Sequence, residues 1–170
     1  MKVYKNLFFI ACITGLLAFA CNSPETEDDI QNENRIEEEN SYDAKKAELF
    51  GADEYGMKKY VMAFLKRGSN NQLDSLKKAE LQTAHLKNID KMAEEGKLVL
   101  AGPFFGDGEL RGIYIFNVKT IEEAEKLTNT DPAIQAGTLI MELKEWYGSA
   151  ALIEVNDIHK ALIKKSTTEE

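Results

Sequence analysis

Two residues of this sequence, His85 and Asp131, have side chains suited to proton transfer. His85 falls on the apolar stripe of a predicted long helix, with Leu81, Ile89 and Met92 at helical spacing from it. An imidazole on a buried face needs a hydrogen-bond partner for at least one ring nitrogen. A backbone carbonyl or a carboxylate would serve a purely structural role. A carboxylate that orients the ring for general acid or base chemistry is the functional alternative.

Asp131 also has two interpretations. It precedes Pro132, which is the pattern of a helix N-cap followed by proline in the first turn. The same carboxylate could lie near a sheet edge and orient His85, because an acidic neighbour makes an imidazole more basic. The sequence leaves both roles open.

Other candidate binding residues are weaker. Arg111 could hold an anionic substrate, and Gly102 with Pro103 could free backbone to line a cleft, although an exposed arginine and a simple turn explain them equally well. No glycine-rich phosphate loop, nucleophile elbow or Cys–His pair occurs. The chain has two histidines, and His159 is assigned no role, so we predict neither a metal site nor a cofactor.

The elements that must position these residues follow from periodicity and capping signals. We predict strands over residues 59–66, 98–105, 111–118 and 138–146, a long helix from an Asp74 cap to about Glu95, a short helix capped by Thr120, and a helical turn at Asp131. Strand, helix, hairpin, helix, strand is the ferredoxin-like βαββαβ plan of an α+β fold. An amphipathic helix is expected after Gly148.

One face of such a sheet carries no helices and must be covered. The strands are apolar on much of both faces, which predicts a homodimer formed sheet to sheet. The alternative is that the terminal helix folds back across its own sheet, and both arrangements could operate together.

The first residues have the layout of a secretory signal, with Lys2 and Lys5 before about fourteen uncharged residues, short of the roughly twenty that span a bilayer. The run ends Leu-Ala-Phe-Ala before Cys21, which resembles the lipobox of bacterial lipoproteins. We therefore expect a signal peptide at 1–20, lipidation of Cys21 and a membrane anchor at the bacterial cell envelope. The alternative is a cleaved signal with an incidental cysteine.

The segment that follows Cys21 is much more acidic than the rest of the chain. The net charge is −8, and residues 22–50 contain ten acidic against three basic side chains. We expect residues 21–41 to be a disordered acidic tether, residues 42–165 to be the folded domain and residues 166–170 to fray. The tether resembles the surface-export signal of Bacteroidetes lipoproteins, or is a plain spacer. No basic stripe occurs, so nucleic acid is not expected as a partner.

A resemblance to a known family lies on three elements: Ala84-His85-Leu86, then EGKLVLAGP over residues 95–103, then Asp131-Pro132 with Ala136-Gly137. Together they resemble the YCII-related (YciI-like) family over about residues 59–146. The resemblance implies a dimeric α+β barrel of ferredoxin-like fold, with the family's His–Asp dyad falling on His85 and Asp131. One member of that family is associated with dehydrochlorination of a chlorinated hydroquinone.

Two functions follow as hypotheses. The first is a lipid-anchored enzyme of isomerase or lyase type, in which His85 moves a proton on a small molecule and Asp131 holds its tautomer. The second is a non-catalytic dimeric module tethered at the cell envelope, in which the same two residues form a structural bond.

Overall fold

The computed structural model describes residues 42–164, and the predicted signal peptide, Cys21 and the acidic tether lie outside them. Among the described residues, no helix is both long enough and apolar enough to span a bilayer. The elements in chain order are α1 Ala44–Phe50, β1 Met57–Arg67, α2 Ser75–Glu94, β2 Leu98–Pro103, β3 Leu110–Phe116, α3 Ile121–Thr128, α4 Pro132–Gln135, β4 Leu139–Ser149, a 3-10 helix Ala150–Glu154, and α5 Val155–Leu162.

The four strands form one antiparallel sheet in the order β2-β3-β1-β4. β1 and β3 are the central strands, and β2 joins β3 as the predicted hairpin. This order and connectivity are those of the ferredoxin-like fold, so the predicted α+β class and the additional C-terminal helical segment are confirmed.

Apolar residues at alternate positions of the strands face α2 and α3. Val61, Ala63 and Leu65 of β1 are all buried there, as the two-residue period of a strand requires. The helices contribute Met92 and Ala124, which are 2% and 0% exposed. This layer is the main core, and the predicted site residues lie at its border.

The opposite face of the sheet is covered over one half. Tyr60, Val99 and Ile115 form a second buried cluster, against which Leu152 and Ile153 of the 3-10 helix pack. The terminal segment therefore folds back across its own sheet, but as a 3-10 helix leading into α5 rather than as one continuous helix. The other half of this face holds the partly exposed Phe64 and Ile113.

Local capping chemistry starts the helices where the sequence predicts. Asp74 accepts a hydrogen bond from the Lys77 amide at 2.8 Å, and Thr120 accepts one from the Glu123 amide at 3.2 Å. Gly96 follows α2 with a φ of 66°, a conformation that glycine adopts at little cost. β1 and β4 extend further than predicted because they pair with each other from Met57 opposite Ser149 to Arg67 opposite Leu139.

Candidate functional site

His85 lies in the middle of α2 on the face that packs against the sheet. Its neighbour on the same stripe, Met92, belongs to the main core, and Ile89 packs against that core. The His85 residue is 8% exposed. The apolar periodicity of α2 thus places a polar ring at the border of the core, where its nitrogens need partners within the protein.

Asp131 lies in the turn between α3 and α4 and is fully buried. Its Oδ1 accepts a hydrogen bond from the Ala133 amide at 2.9 Å, which makes it the N-cap of α4. Its Oδ2 lies 2.7 Å from Nδ1 of His85. The helix cap and the contact with His85 therefore coexist, because each carboxylate oxygen makes one of them.

Polar contacts hold the two supporting segments together. Thr130, the residue before Asp131, places its hydroxyl 3.0 Å from Oδ1 of Asn88, one turn beyond His85 on α2. At the other end of α4, the Asn70 side chain donates to the Ala136 carbonyl at 2.9 Å. These bonds fix α4 against both α2 and the loop after β1, so the carboxylate and the imidazole are held from independent directions.

A third residue, which sequence reasoning did not assign to the site, completes it. The Tyr114 hydroxyl on β3 lies 3.3 Å from Nε2 of His85, and Tyr114 is 2% exposed. Burial, and secondarily the Asp131 carboxylate, raises the pKa of Tyr114 well above its usual value, so the phenol stays protonated. The signal in the sequence was the alternation of β3, which puts Tyr114 and Phe116 on one face and Ile113 and Ile115 on the other.

The bond pattern indicates how the protons are arranged. A buried carboxylate favours the tautomer in which Nδ1–H donates to Asp131, which leaves Nε2 as an acceptor for the Tyr114 hydroxyl. An imidazole held by a carboxylate at one nitrogen can exchange a proton at the other once the hydroxyl partner of that nitrogen gives way. β2 is the edge strand next to Tyr114, and Ala101 of β2, the cross-strand neighbour of Tyr114, is exposed to solvent.

The other predicted binding residues are not brought to this pair. Arg111 falls where the register between β1 and β3 shifts, and its guanidinium donates to the Gly106 carbonyl at 2.9 Å. Gly102 lies opposite Ile113, on the sheet face away from His85, and Pro103 ends β2 as an exposed residue. Their binding role stays a prediction.

Two surface depressions of the described domain lie elsewhere. One, of about 360 Å³, is lined by residues of the open sheet face, among them Phe64, Lys66 and Glu142. The other, of about 350 Å³, lies between α3, α4 and β4. Neither is lined by His85 or Asp131. Within residues 42–164, no group of three or more His, Cys, Asp or Glu side chains is arranged to hold a metal ion.

The domain is similar to a known protein family, to a protein of known sequence and to a solved structure. The YCII-related domain matches residues 60–147. The uncharacterized protein YjpA of Bacillus subtilis (strain 168) is 27% identical over 87 residues, which cover 51% of this chain and 92% of that protein. A solved structure, 5-chloro-2-hydroxyhydroquinone dehydrochlorinase (TftG) from Burkholderia phenoliruptrix AC1100 in complex with 2,5-dihydroxybenzoquinone, is similar at 17% identity and a TM-score of 0.40, covering 51% of this chain and 92% of that chain. Neither similarity identifies a reaction for this chain.

Proposed function

This chain belongs to the YCII-related domain family, and we propose that it is a small-molecule enzyme that transfers a proton through His85 and Asp131. The observation that carries the proposal is the 2.7 Å contact between Nδ1 of His85 and a fully buried carboxylate. Such a carboxylate fixes the tautomer and stabilises the imidazolium formed when Nε2 takes up a proton. Proton removal next to a carbonyl is the first step of many isomerase and lyase reactions, and a positioned imidazole can supply the base for it.

Hydrogen exchange tests this proposal, because reversible proton removal in D₂O replaces the transferred hydrogen of the substrate with deuterium. The protein is incubated in D₂O with a panel of small cyclic ketones, lactones and quinols, and deuterium incorporation is followed by NMR. His85→Gln keeps a polar side chain of similar size but removes the titrating ring, so we expect exchange to fall by about 100-fold or more. The exposed His159 gives the matched control, because His159→Gln should exchange as the wild type does. Equal exchange by wild type and His85→Gln would overturn the proposal.

A second function has an observation in its favour. Both nitrogens of His85 are already bonded within the protein and the residue is 8% exposed, which is what a structural hydrogen bond requires. The protein would then be a non-catalytic binding module. In that case no compound of the panel exchanges with wild type, and His85→Gln lowers only the free energy of unfolding.

We also propose that the domain is anchored at the bacterial cell envelope by lipid on Cys21. The support is the charge pattern and the small residues before Cys21 in the sequence. Cells grown with an alkynyl fatty acid should label the protein and retain it in the membrane fraction. Cys21→Ser should abolish both results. Cys12→Ser, in the predicted apolar part of the signal, should leave both unchanged, and labelling of Cys21→Ser would contradict the anchor.

A homodimer is proposed as the unit that carries this function. Its support is the open half of the sheet, where Phe64 and Ile113 stay partly exposed beside a depression of about 360 Å³ that is also lined by the charged Lys66, Glu142 and Lys144. Exposed apolar side chains on a sheet favour contact with a second apolar surface.

A further inference from the structure

The hydrogen bonds of the site form a chain of three side chains that ends in the sheet. From α4 the chain runs through the Asp131 carboxylate to Nδ1 of His85 at 2.7 Å, and from Nε2 to the Tyr114 hydroxyl at 3.3 Å. The contact between His85 and Asp131 does not itself require Tyr114. The Tyr114 hydroxyl gives Nε2 of His85, the acceptor nitrogen, a hydrogen-bond partner.

The hydroxyl of Tyr114 contacts His85, and the two rings also lie nearly parallel. Their centroids are 6.3 Å apart with planes inclined by 21°, which is within the range of offset-stacked rings. The Tyr114 ring is also fixed from the side, because the Phe116 ring lies edge-on to it at 5.7 Å and 86°. Tyr114 lies on the central strand β3, which is paired on both sides, so the sheet holds its hydroxyl in place against the His85 ring of α2.

We propose that Tyr114 is a positioning residue of the His85–Asp131 site, whose hydroxyl holds Nε2 of His85 in both of its protonation states. The inference rests on the function proposed above. A hydroxyl can donate to a bare nitrogen and accept from a protonated one, which neither a carbonyl nor an amide N–H can do. When His85 is protonated, Nδ1–H stays bonded to Asp131, and the phenol proton turns away so that the Tyr114 oxygen accepts from Nε2–H.

The imidazole nitrogens report this arrangement directly by ¹⁵N NMR, with no substrate present. In the wild type, we expect the Nε2 resonance of His85 to have the chemical shift of an unprotonated nitrogen that accepts a hydrogen bond. We expect the proton on Nδ1 to resonate far downfield. In Tyr114→Phe, the Nε2 resonance should move by several ppm towards that of an unbonded nitrogen while the Nδ1 proton remains. A tyrosine that only filled space beside the ring would leave the Nε2 resonance unmoved.

The sheet supplies a matched control. Tyr60 is 1% exposed on the opposite face, and its hydroxyl donates to the Ser149 carbonyl at 3.0 Å. Tyr60→Phe therefore removes a comparable buried hydroxyl and should leave both His85 nitrogens unchanged. If Tyr114→Phe folds poorly, 3,5-difluorotyrosine at position 114 keeps the hydroxyl and makes it a stronger donor, so the Nε2 resonance should move in the opposite direction.

Failure of this inference is separable from failure of the proposed function. An unchanged Nε2 resonance in Tyr114→Phe, or in the difluorotyrosine protein, overturns the role of Tyr114 and leaves the His85–Asp131 pair intact. A wild-type protein without the downfield Nδ1 proton overturns the pair itself. Absence of deuterium exchange with every compound would overturn the enzyme proposal and leave the ¹⁵N result for Tyr114 standing.

Discussion

At the scale of single residues, Asp131 is both a helix cap and the partner of an imidazole. One oxygen accepts from the Ala133 amide and the other from His85, and the side chain has no exposure to water. A buried carboxylate without such partners would be strongly destabilising. The stability of the fold and the geometry of the site therefore depend on the same carboxylate.

Asp131→Asn should lower the free energy of unfolding by about 1–3 kcal/mol, the usual cost of leaving a buried polar group without a suitable partner. The amide can still cap α4, but its NH₂ group cannot accept from Nδ1–H of His85. Asp74→Asn is the control, because Asp74 caps α2 from an exposed position and asparagine is an equally good cap. Urea unfolding measures both variants, and equal losses would contradict the dual role of Asp131.

The buried tyrosines predict a loss of stability in alkali. Burial raises the pKa of Tyr60 from 10.0 to about 12 and moves that of Tyr114 in the same direction. Between these values the folded protein keeps protons that the unfolded chain has released, so stability that is complete below about pH 10 falls as the pH rises towards about 12. Urea unfolding across this range should show a shallower decline in Tyr60→Phe. Replacement of the exposed Tyr55 should leave the decline unchanged.

The sequence predicted His85 and Asp131, and the structure confirms that they meet, although 46 positions separate them. Helical periodicity located one and a capping signal located the other, and both signals are local. Tyr114 was missed because, in the sequence, an aromatic residue at alternate spacing in a strand looks the same as a core residue. Only the position of α2 over the sheet shows that the Tyr114 hydroxyl meets His85. The catalytic role of the pair stays a prediction.

At the scale of elements, the loop after β1 is packed against the turn that leads from α4 to β4. The Gly68 amide donates to the Thr138 carbonyl at 2.8 Å, and the Asn70 amide donates to the Gly137 carbonyl at 3.0 Å. A Cβ added at Gly68 would lie 2.1 Å from the Gly137 carbonyl oxygen. Glycine is required at position 68 because backbone from another element occupies the space of a side chain.

Gly68→Ala should lower the free energy of unfolding by about 1–3 kcal/mol, the typical cost of overpacking. It should also weaken the downfield Nδ1 proton signal of His85, since the displaced turn carries α4 and Asp131. Gly102→Ala is the control, because a Cβ there meets nothing within 4 Å. Its stability should change by less than about 0.5 kcal/mol, and a similar loss in both variants would argue against this packing.

The elements themselves were largely predictable, since Asp74, Thr120 and Asp131 each carry a capping signal that works over two or three residues. The ends of the strands were not. The sequence predicts that β4 ends at Trp146, but it continues to Ser149 because Met57 pairs there. Gly148, after which the sequence predicts a helix, lies beneath the Trp146 ring, whose atoms come within 2.2 Å of where a Cβ would be.

At the scale of the whole domain, the second sheet face divides into a covered half and an open half. The covered half is fixed by the 3-10 helix and by the Asn156 side chain, which donates to the Leu98 carbonyl at 2.7 Å. The open half carries Phe64 and also Glu142, which forms salt bridges with Lys144 and Lys66 that lower the pKa of its carboxyl to about 2. The proposed dimer would use this open half.

Phe64→Asp should convert the proposed dimer to a monomer, because it replaces an apolar side chain of the contact with a charge that would have no partner there. Sedimentation velocity measures the change in mass. Leu76→Asp is the control, since Leu76 is 73% exposed on α2, on the other side of the sheet. A wild type that sediments as a monomer, or a Phe64→Asp variant that remains a dimer, would contradict the proposed interface.

The 3-10 helix has a geometric consequence for any such association. It begins at Ala150, directly after β4, and stands above the sheet at one end of the strands. A second sheet that lay flat on the open half would therefore be blocked in one direction along the strands. Deleting the 3-10 helix would remove that stop and bare the apolar side chains beneath it.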